Sequence, residues 1–297
     1  MGNLIKDYLQ QYIKQRTTLL GIGPMSKNCV DVAIKLANLY EIPIFLIASR
    51  RQIDSSKFNG GYVNNWTTND FANYVRKRDT KKKIILARDH GGPWQNPLEI
   101  KKKMNLEEAI NSAKESFLED IKCGFQMIHI DPSIDINGKT NIHQILERLF
   151  DLYKFCWNNA RKLKKEIIFE IGTEEQSGGT NTQEELEFVL SSVNNFCLEN
   201  KLPKPFFAVF QCGTKVMETK NVGSFDSPLR VKDEIPSEIQ MPKILKACSK
   251  NNIFLKEHNC DYLSNEALSW HPRLGIHAAN VAPEFGVTET KALLDIL

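Results

Sequence analysis

The chain has 297 residues, 41 % hydrophobic and 25 % charged, with a formal net charge of +3. That is ordinary globular composition. The charge is too small to argue for nucleic acid, and the runs Lys81-Lys82-Lys83 and Lys101-Lys102-Lys103 read as solvated faces. No apolar run reaches the roughly 18 residues of a membrane span. Seven cysteines without a CxxC pair exclude a metal finger. Their odd number, with no secretory signal, points to reduced thiols and a cytoplasmic protein.

Met1 to Arg16 lacks a signal-like apolar core and reads as a short amphipathic helix. After it, apolar runs alternate with stretches of helical period. The predicted strands are 19–23, 44–48, 84–87, 127–130, 167–171, 206–210, 253–256 and 275–278. The predicted helices between and after them are 29–40, 68–78, 106–123, 142–163, 183–200, 238–251, 264–270 and 287–297. Eight β-α repeats predict one α/β domain over 1–297, a single (β/α)8 TIM barrel. A doubly wound open sheet is the rival, but no GxGxxG follows the first strand and Pro24 stops the turn after Gly23. The long connection 213–237 predicts a lid or an oligomer contact.

Polar residues gather where these strands end, which is where barrel enzymes keep their chemistry. Strand two ends in Ser49-Arg50, a candidate pair for holding an anion or carboxylate. Strand three runs into Asp89-His90-Gly91-Gly92, a candidate base beside a candidate metal ligand; the other reading is a structural His with a capping Asp. The pair can converge only if the strand has ended, in a loop that Gly91 and Gly92 free. Strand four ends in His129-Ile130-Asp131, with Asp131 orienting His129 or acting as a base, or else capping a helix. Strand five carries Glu170 and leads to Glu174, a candidate acid/base or an exposed loop acid. Gln211 ends strand six as a candidate metal or hydroxyl ligand. Strand seven offers His258 as a third metal ligand. Lys256 on its face is either a Schiff-base amine or a lysine with a solvated head. Asn280 and Glu284 follow strand eight as substrate contacts, whereas His143 and His271 read as structural.

Taken in order, Gly60-Gly61-Tyr62, Asp89-His90-Gly91-Gly92-Pro93, Ile128-His129-Ile130-Asp131-Pro132-Ser133, Ile171-Gly172-Thr173-Glu174, Val209-Phe210-Gln211 and Glu257-His258-Asn259-Cys260-Asp261-Tyr262 resemble the GatZ/KbaZ-like family. That family is named for the non-catalytic subunit of class II tagatose-1,6-bisphosphate aldolase. The resemblance spans roughly residues 18 to 290. It implies kinship with class II ketose-bisphosphate aldolases, in which an Asp-His pair supplies a proton carrier and a zinc ligand and two later strands supply further His ligands. The implied metal set is His90, Gln211 and His258, with zinc as the expected ion. A His/Gln/His set also resembles that of tagaturonate epimerases. Acid/base work falls to Asp89, Asp131 and Glu174, and substrate contacts to Ser49, Arg50, His129, Lys256, Asn280 and Glu284.

The implied function is retro-aldol chemistry on a ketose or ketose phosphate, as an aldolase or a C4 epimerase. The alternative is a non-catalytic partner that stabilises a separate aldolase chain; a homo-oligomer is also expected. A sugar-kinase role lacks its P-loop. Two departures bear on this. The phosphate-suited turn after the last strand is replaced by Asn280-Val281-Ala282-Pro283-Glu284-Phe285-Gly286, whose carboxylate disfavours bisphosphates. Family members also extend past the eighth strand, whereas this chain stops at Leu297, which weakens the helper-subunit reading.

Overall fold

The computed structural model describes residues 4–138, 140–172, 183–211, 213–223, 225 and 236–297. Helix α1 (Leu4–Lys14) precedes β1 (Leu19–Ile22), α2 (Lys27–Tyr40), β2 (Ile44–Ser49), α3 (Thr68–Arg78) and β3 (Ile84–Gly91). Next come α4 (Pro97–Lys101), α5 (Leu106–Lys122), β4 (Met127–Ile130), α6 (Ile142–Lys162), β5 (Ile168–Ile171), α7 (Gln183–Glu199) and β6 (Phe207–Phe210). A small hairpin, β7 (Val216–Met217) and β8 (Lys220–Asn221), is followed by α8 (Ser237–Asn251), β9 (Phe254–Glu257), α9 (Asn265–Leu274), β10 (Ala278–Val281) and α10 (Pro283–Ile296).

The parallel strands close in the order β1-β2-β3-β4-β5-β6-β9-β10 and back to β1, so the chain forms a (β/α)8 TIM barrel. Local sequence sets the helix starts. Thr67 with Asp70, Asn105 with Glu108 and Asn141 with Gln144 form reciprocal capping boxes that satisfy the first free amides of α3, α5 and α6. The eighth strand lies three residues later than the apolar run 275–278 suggests. Gly275 adopts φ +87 and caps α9 instead, which brings Asn280 into the strand.

Strand alternation separates two packed layers. Inside the lower barrel, Leu19, Phe45, Ile47, Ile85, Ala87, Met127, Ile168, Phe207 and Ala278 form an apolar plug that α1 covers through Leu9. Outward-facing residues such as Leu46, Leu86, Ile128, Phe169 and Leu255 pack against the helices. Each such side chain contributes about 1.5–3 kcal/mol when fully buried. The next inward positions after this plug are polar, so the barrel interior changes from oil to charge toward the carboxyl ends of its strands. Among the described residues no helix is long and apolar enough to cross a membrane.

Arg50 lies on the outer side of this ring and is 1 % exposed. Its guanidinium donates to Asp54 (2.9 Å), Glu99 (2.6 Å), Ser112 (3.1 Å) and the carbonyl of Gly92 (3.1 Å). Ser49 faces inward, so its neighbour in an extended strand must face out. The expected anion-holding Arg50 is therefore a tether, with its guanidinium directed at protein acceptors. Arg88 is similarly spent on Asp120, through two contacts of 2.7 and 2.6 Å, and on the carbonyls of Ala48 in β2 and Ile53 in the loop after it. Together they fix the loop after β3. Arg50→Ala leaves Asp54 and Glu99 buried without their cation, and chemical denaturation should show a loss of about 3–5 kcal/mol. A loss under about 1 kcal/mol would show that the tether contributes little.

Candidate functional site

The site begins with an irregularity in β3. The strand does not end at Ala87; it continues to Gly91, with a bulge between Arg88 and Gly91 and His90 at φ 43. A regular strand would send Asp89 and His90 to opposite faces. The bulge re-aims His90 so that both reach the barrel mouth. Close packing makes the glycines after it obligatory. A Cβ on Gly91 would sit 2.3 Å from the Phe117 ring, and one on Gly92 2.1 Å from the Asp131 carbonyl oxygen.

His90 lies at the centre. Its Nδ1–H donates to Asp131 Oδ2 at 2.6 Å, and its Nε2 faces His258 Nε2 at 2.9 Å. Asp89 Oδ2 lies 3.9 Å from His90 Nε2, while Asp89 Oδ1 lies 3.4 Å from His129 Nδ1. His129 Nδ1 accepts the backbone N–H of His90 (3.2 Å) and stands 3.3 Å from Glu170 Oε1. Its buried Nε2 has no hydrogen-bond partner among the described residues and lies where Gly172 leaves room, 2.5 Å from a would-be Cβ. Glu170 Oε2 accepts from the Lys256 ammonium at 2.7 Å, with Lys256 wholly buried.

Asp131 departs from the role read in the sequence. It pairs with His90, not His129, and its remaining lone pairs take Ser133 Oγ (2.5 Å), Ser133 N (3.2 Å) and Gln95 Nε2 (3.2 Å). So placed, the carboxylate orients the His90 imidazole. This is the outer-shell arrangement that fixes a metal-ligating histidine's tautomer. Gln95 carries no signal in the sequence because it acts on Asp131 and not at the mouth; Ser133 enters there only within the string 128–133. Gln211 follows Phe210, which pairs with Glu257, so Gln211 stands next in register to His258. Ser49 pairs in register with Asp89.

Other expected contacts fall elsewhere. Glu284 accepts the Tyr262 N–H at 2.7 Å, and Asp261 accepts the N–H groups of Ala282 and Glu284, so these acids tie the β9 loop to the start of α10. Asn280 leans over Gly21, where a Cβ would come within 2.4 Å of its Oδ1. It is buried with neither amide atom hydrogen-bonded among the described residues. Glu174 lies outside the described residues, as does most of 226–237 of the expected lid. The preceding hairpin is packed in place by Asn221, which donates to the carbonyls of Asn259 and Asp261.

Burial and charge compete here. Burial would raise the Asp89 carboxyl, but the neighbouring imidazoles, His90 foremost, outweigh it and hold Asp89 well below the usual carboxylate range. Burial would lower His90, yet Asp89 and the Asp131 hydrogen bond push it up to about 9. Burial and the adjoining His90 charge bring His258 down to about 3. Without an ion, then, a charged His90 donates to a neutral His258.

Three overlapping groups, Asp89/His90/His258, His90/His129/Asp131 and Asp89/His129/Glu170, each bring one ligand atom per residue within 4.8 Å of the others. Two imidazole Nε2 atoms converging with a carboxylate suit a divalent ion. Tetrahedral ligands at about 2.0–2.1 Å from zinc lie roughly 3.3 Å apart, so the His90–His258 pair needs only a small opening.

The pH dependence of the metal-free protein follows. His90 has a folded value of about 9, above its unfolded value of about 6.5. The stability it contributes is complete below about pH 6.5 and is lost as pH rises through about 9, by up to about 1.4 kcal/mol per pH unit. The thermal midpoint of chelator-stripped protein should fall between pH 6.5 and 9. A midpoint that climbs over that range would contradict the His90–Asp131 assignment.

Known proteins share the barrel. A probable tagatose 6 phosphate kinase from Sinorhizobium meliloti 1021 superposes with a TM-score of 0.71 at 18 % identity, over 90 % of this chain and 65 % of its own. The chain thus spans about two thirds of that relative's length. The YdjI aldolase from Escherichia coli K12 superposes with a TM-score of 0.61 at 13 % identity, over 98 % of this chain and 85 % of its own. At such identities the likeness establishes the fold. A search of curated proteins finds no match. The model of the D-tagatose-1,6-bisphosphate aldolase subunit GatZ/KbaZ-like family matches residues 6–207, and the chain belongs to that family.

Proposed function

We propose that this protein is a metal-dependent enzyme that breaks or re-forms a carbon–carbon bond in a ketose or ketose phosphate. The observation that carries the reading is the convergence of His90, His258 and Asp89 at the mouth, with Asp131 orienting His90 from behind. Family membership and the aldolase-related fold support it.

His90 and His258 would hold a divalent ion, zinc being our first choice, with Gln211 beside them. When bound, such an ion supplies Lewis-acid polarisation of a ketose carbonyl and its neighbouring hydroxyl. The chain supplies the rest. Asp89, beside the two imidazoles, would accept the proton of the C4 hydroxyl, whose deprotonation breaks the C3–C4 bond. Asn280 offers an amide donor and acceptor to substrate hydroxyls from β10. Glu174 remains our candidate for a second proton carrier. If the aldehyde leaves, the outcome is aldol cleavage; if it turns and rebonds, it is C4 inversion.

A second reading rests on the family's description as an aldolase subunit: the chain would stabilise a separate catalytic partner. The experiment that decides is an assay of the purified chain alone, loaded with zinc or cobalt, against ketoses and ketose phosphates. Products are followed by NMR. We expect cleavage or C4 inversion of at least one substrate, and a loss of at least about 100-fold in kcat for Asp89→Asn with metal retained. Metal-loaded protein that is inert alone but raises the activity of a co-expressed aldolase would overturn the enzyme reading in favour of the partner.

A further inference from the structure

Lys256 has no task in the chemistry above, yet it places a charge in the barrel interior. It is 0 % exposed, inside the barrel, two residues before His258, and its ammonium lies 2.7 Å from Glu170 Oε2. A buried ion pair rarely stabilises a fold more than a well-packed apolar pair does. One layer below, this barrel uses the apolar solution, with Phe45, Met127, Ile168 and Phe207. Stability alone does not account for a lysine here.

Its partner belongs to a second set of donor atoms. Asp89, His129 and Glu170 bring theirs within 4.8 Å of one another, and Asp89 is shared with the His90/His258 group. One Asp89 oxygen lies toward His90 and the other toward His129. A carboxylate shared between two nitrogen-and-oxygen clusters is the donor pattern of a two-metal centre, in which a second ion would take His129 Nδ1 in place of the His90 N–H.

Charge decides between one ion and two. Among the described inward-facing residues Asp89, Asp131 and Glu170 bring three negative charges, and Lys256 cancels one. With metal-bound imidazoles neutral, a single divalent ion balances what remains. A second divalent ion beside Lys256 would leave two positive charges uncompensated in a low-dielectric interior, which is prohibitive. We infer that Lys256 is a built-in counter-cation that closes the Asp89–His129–Glu170 cluster to a second metal ion and holds the centre to one ion per chain. The inference rests on the metal reading given above.

The test is a cobalt(II) titration of the chelator-stripped full-length chain, followed by visible absorption and by equilibrium dialysis. Wild type should bind one tight equivalent. Lys256→Met should bind two, and Lys256→Met with Glu170→Gln should return to one. Lys256→Gln, which keeps a donor to Glu170 without the charge, should also bind two and serves if the Met variant does not fold. Two tight equivalents in wild type, or one in a folded Lys256 variant, would overturn the inference. No bound cobalt in wild type would instead sink the metal reading beneath it.

Discussion

Three carboxylates lie almost dry at one end of a closed barrel, and much of the surrounding structure follows from compensating them. Asp89, Asp131 and Glu170 are each at most 9 % exposed. An isolated buried carboxylate would take up a proton or destabilise the fold. Here each has a basic partner: His90 for Asp131, Lys256 for Glu170, and His129 with His90 for Asp89. The same constraint separates two histidines of one kind. His90, between two carboxylates, is driven up, whereas His258 is driven down by its burial and by the charged His90 it faces. A divalent ion held by both imidazoles, as proposed, would replace the proton shared between them.

Backbone devices outside the site make that convergence possible. The bulge at His90 turns two consecutive side chains to one mouth, and Gly91, Gly92 and Gly172 permit approaches that no Cβ would tolerate. Behind the bulge, Arg50 grips the Gly92 carbonyl and Arg88 the end of β2. The ligand loop is thus held by buried ion pairs in the helical layer, not by the surface. Such rigidity is what a binding site requires, since functional groups must be held to within about half an ångström by supporting contacts.

The barrel was legible in the sequence because parallel strands buried on both faces leave continuous apolar runs between amphipathic helices. The slip at the last strand has a local cause: Gly275 looks like a strand start but serves as a helix cap, and α9 accommodates Pro272 in its last turn. Single site residues were legible where a polar group broke an apolar run, as at Asp89-His90 and Glu257-His258. Their pairings were not. Asp131 lies 41 residues from His90 and Lys256 lies 86 from Glu170, so only the closed barrel reveals who neutralises whom. Arg50 and Glu284 carried the right chemistry for a substrate contact, but the strand pleat and the first turn of α10 direct both to structural partners.

The proposed chemistry depends on His90 and His258 holding one divalent ion. The most direct measurement is elemental analysis of the purified protein beside His90→Ala. It predicts about one zinc or similar ion per chain in the wild type and its loss in a variant that still folds. No ion after reconstitution, or an ion fully retained in His90→Ala, would contradict it.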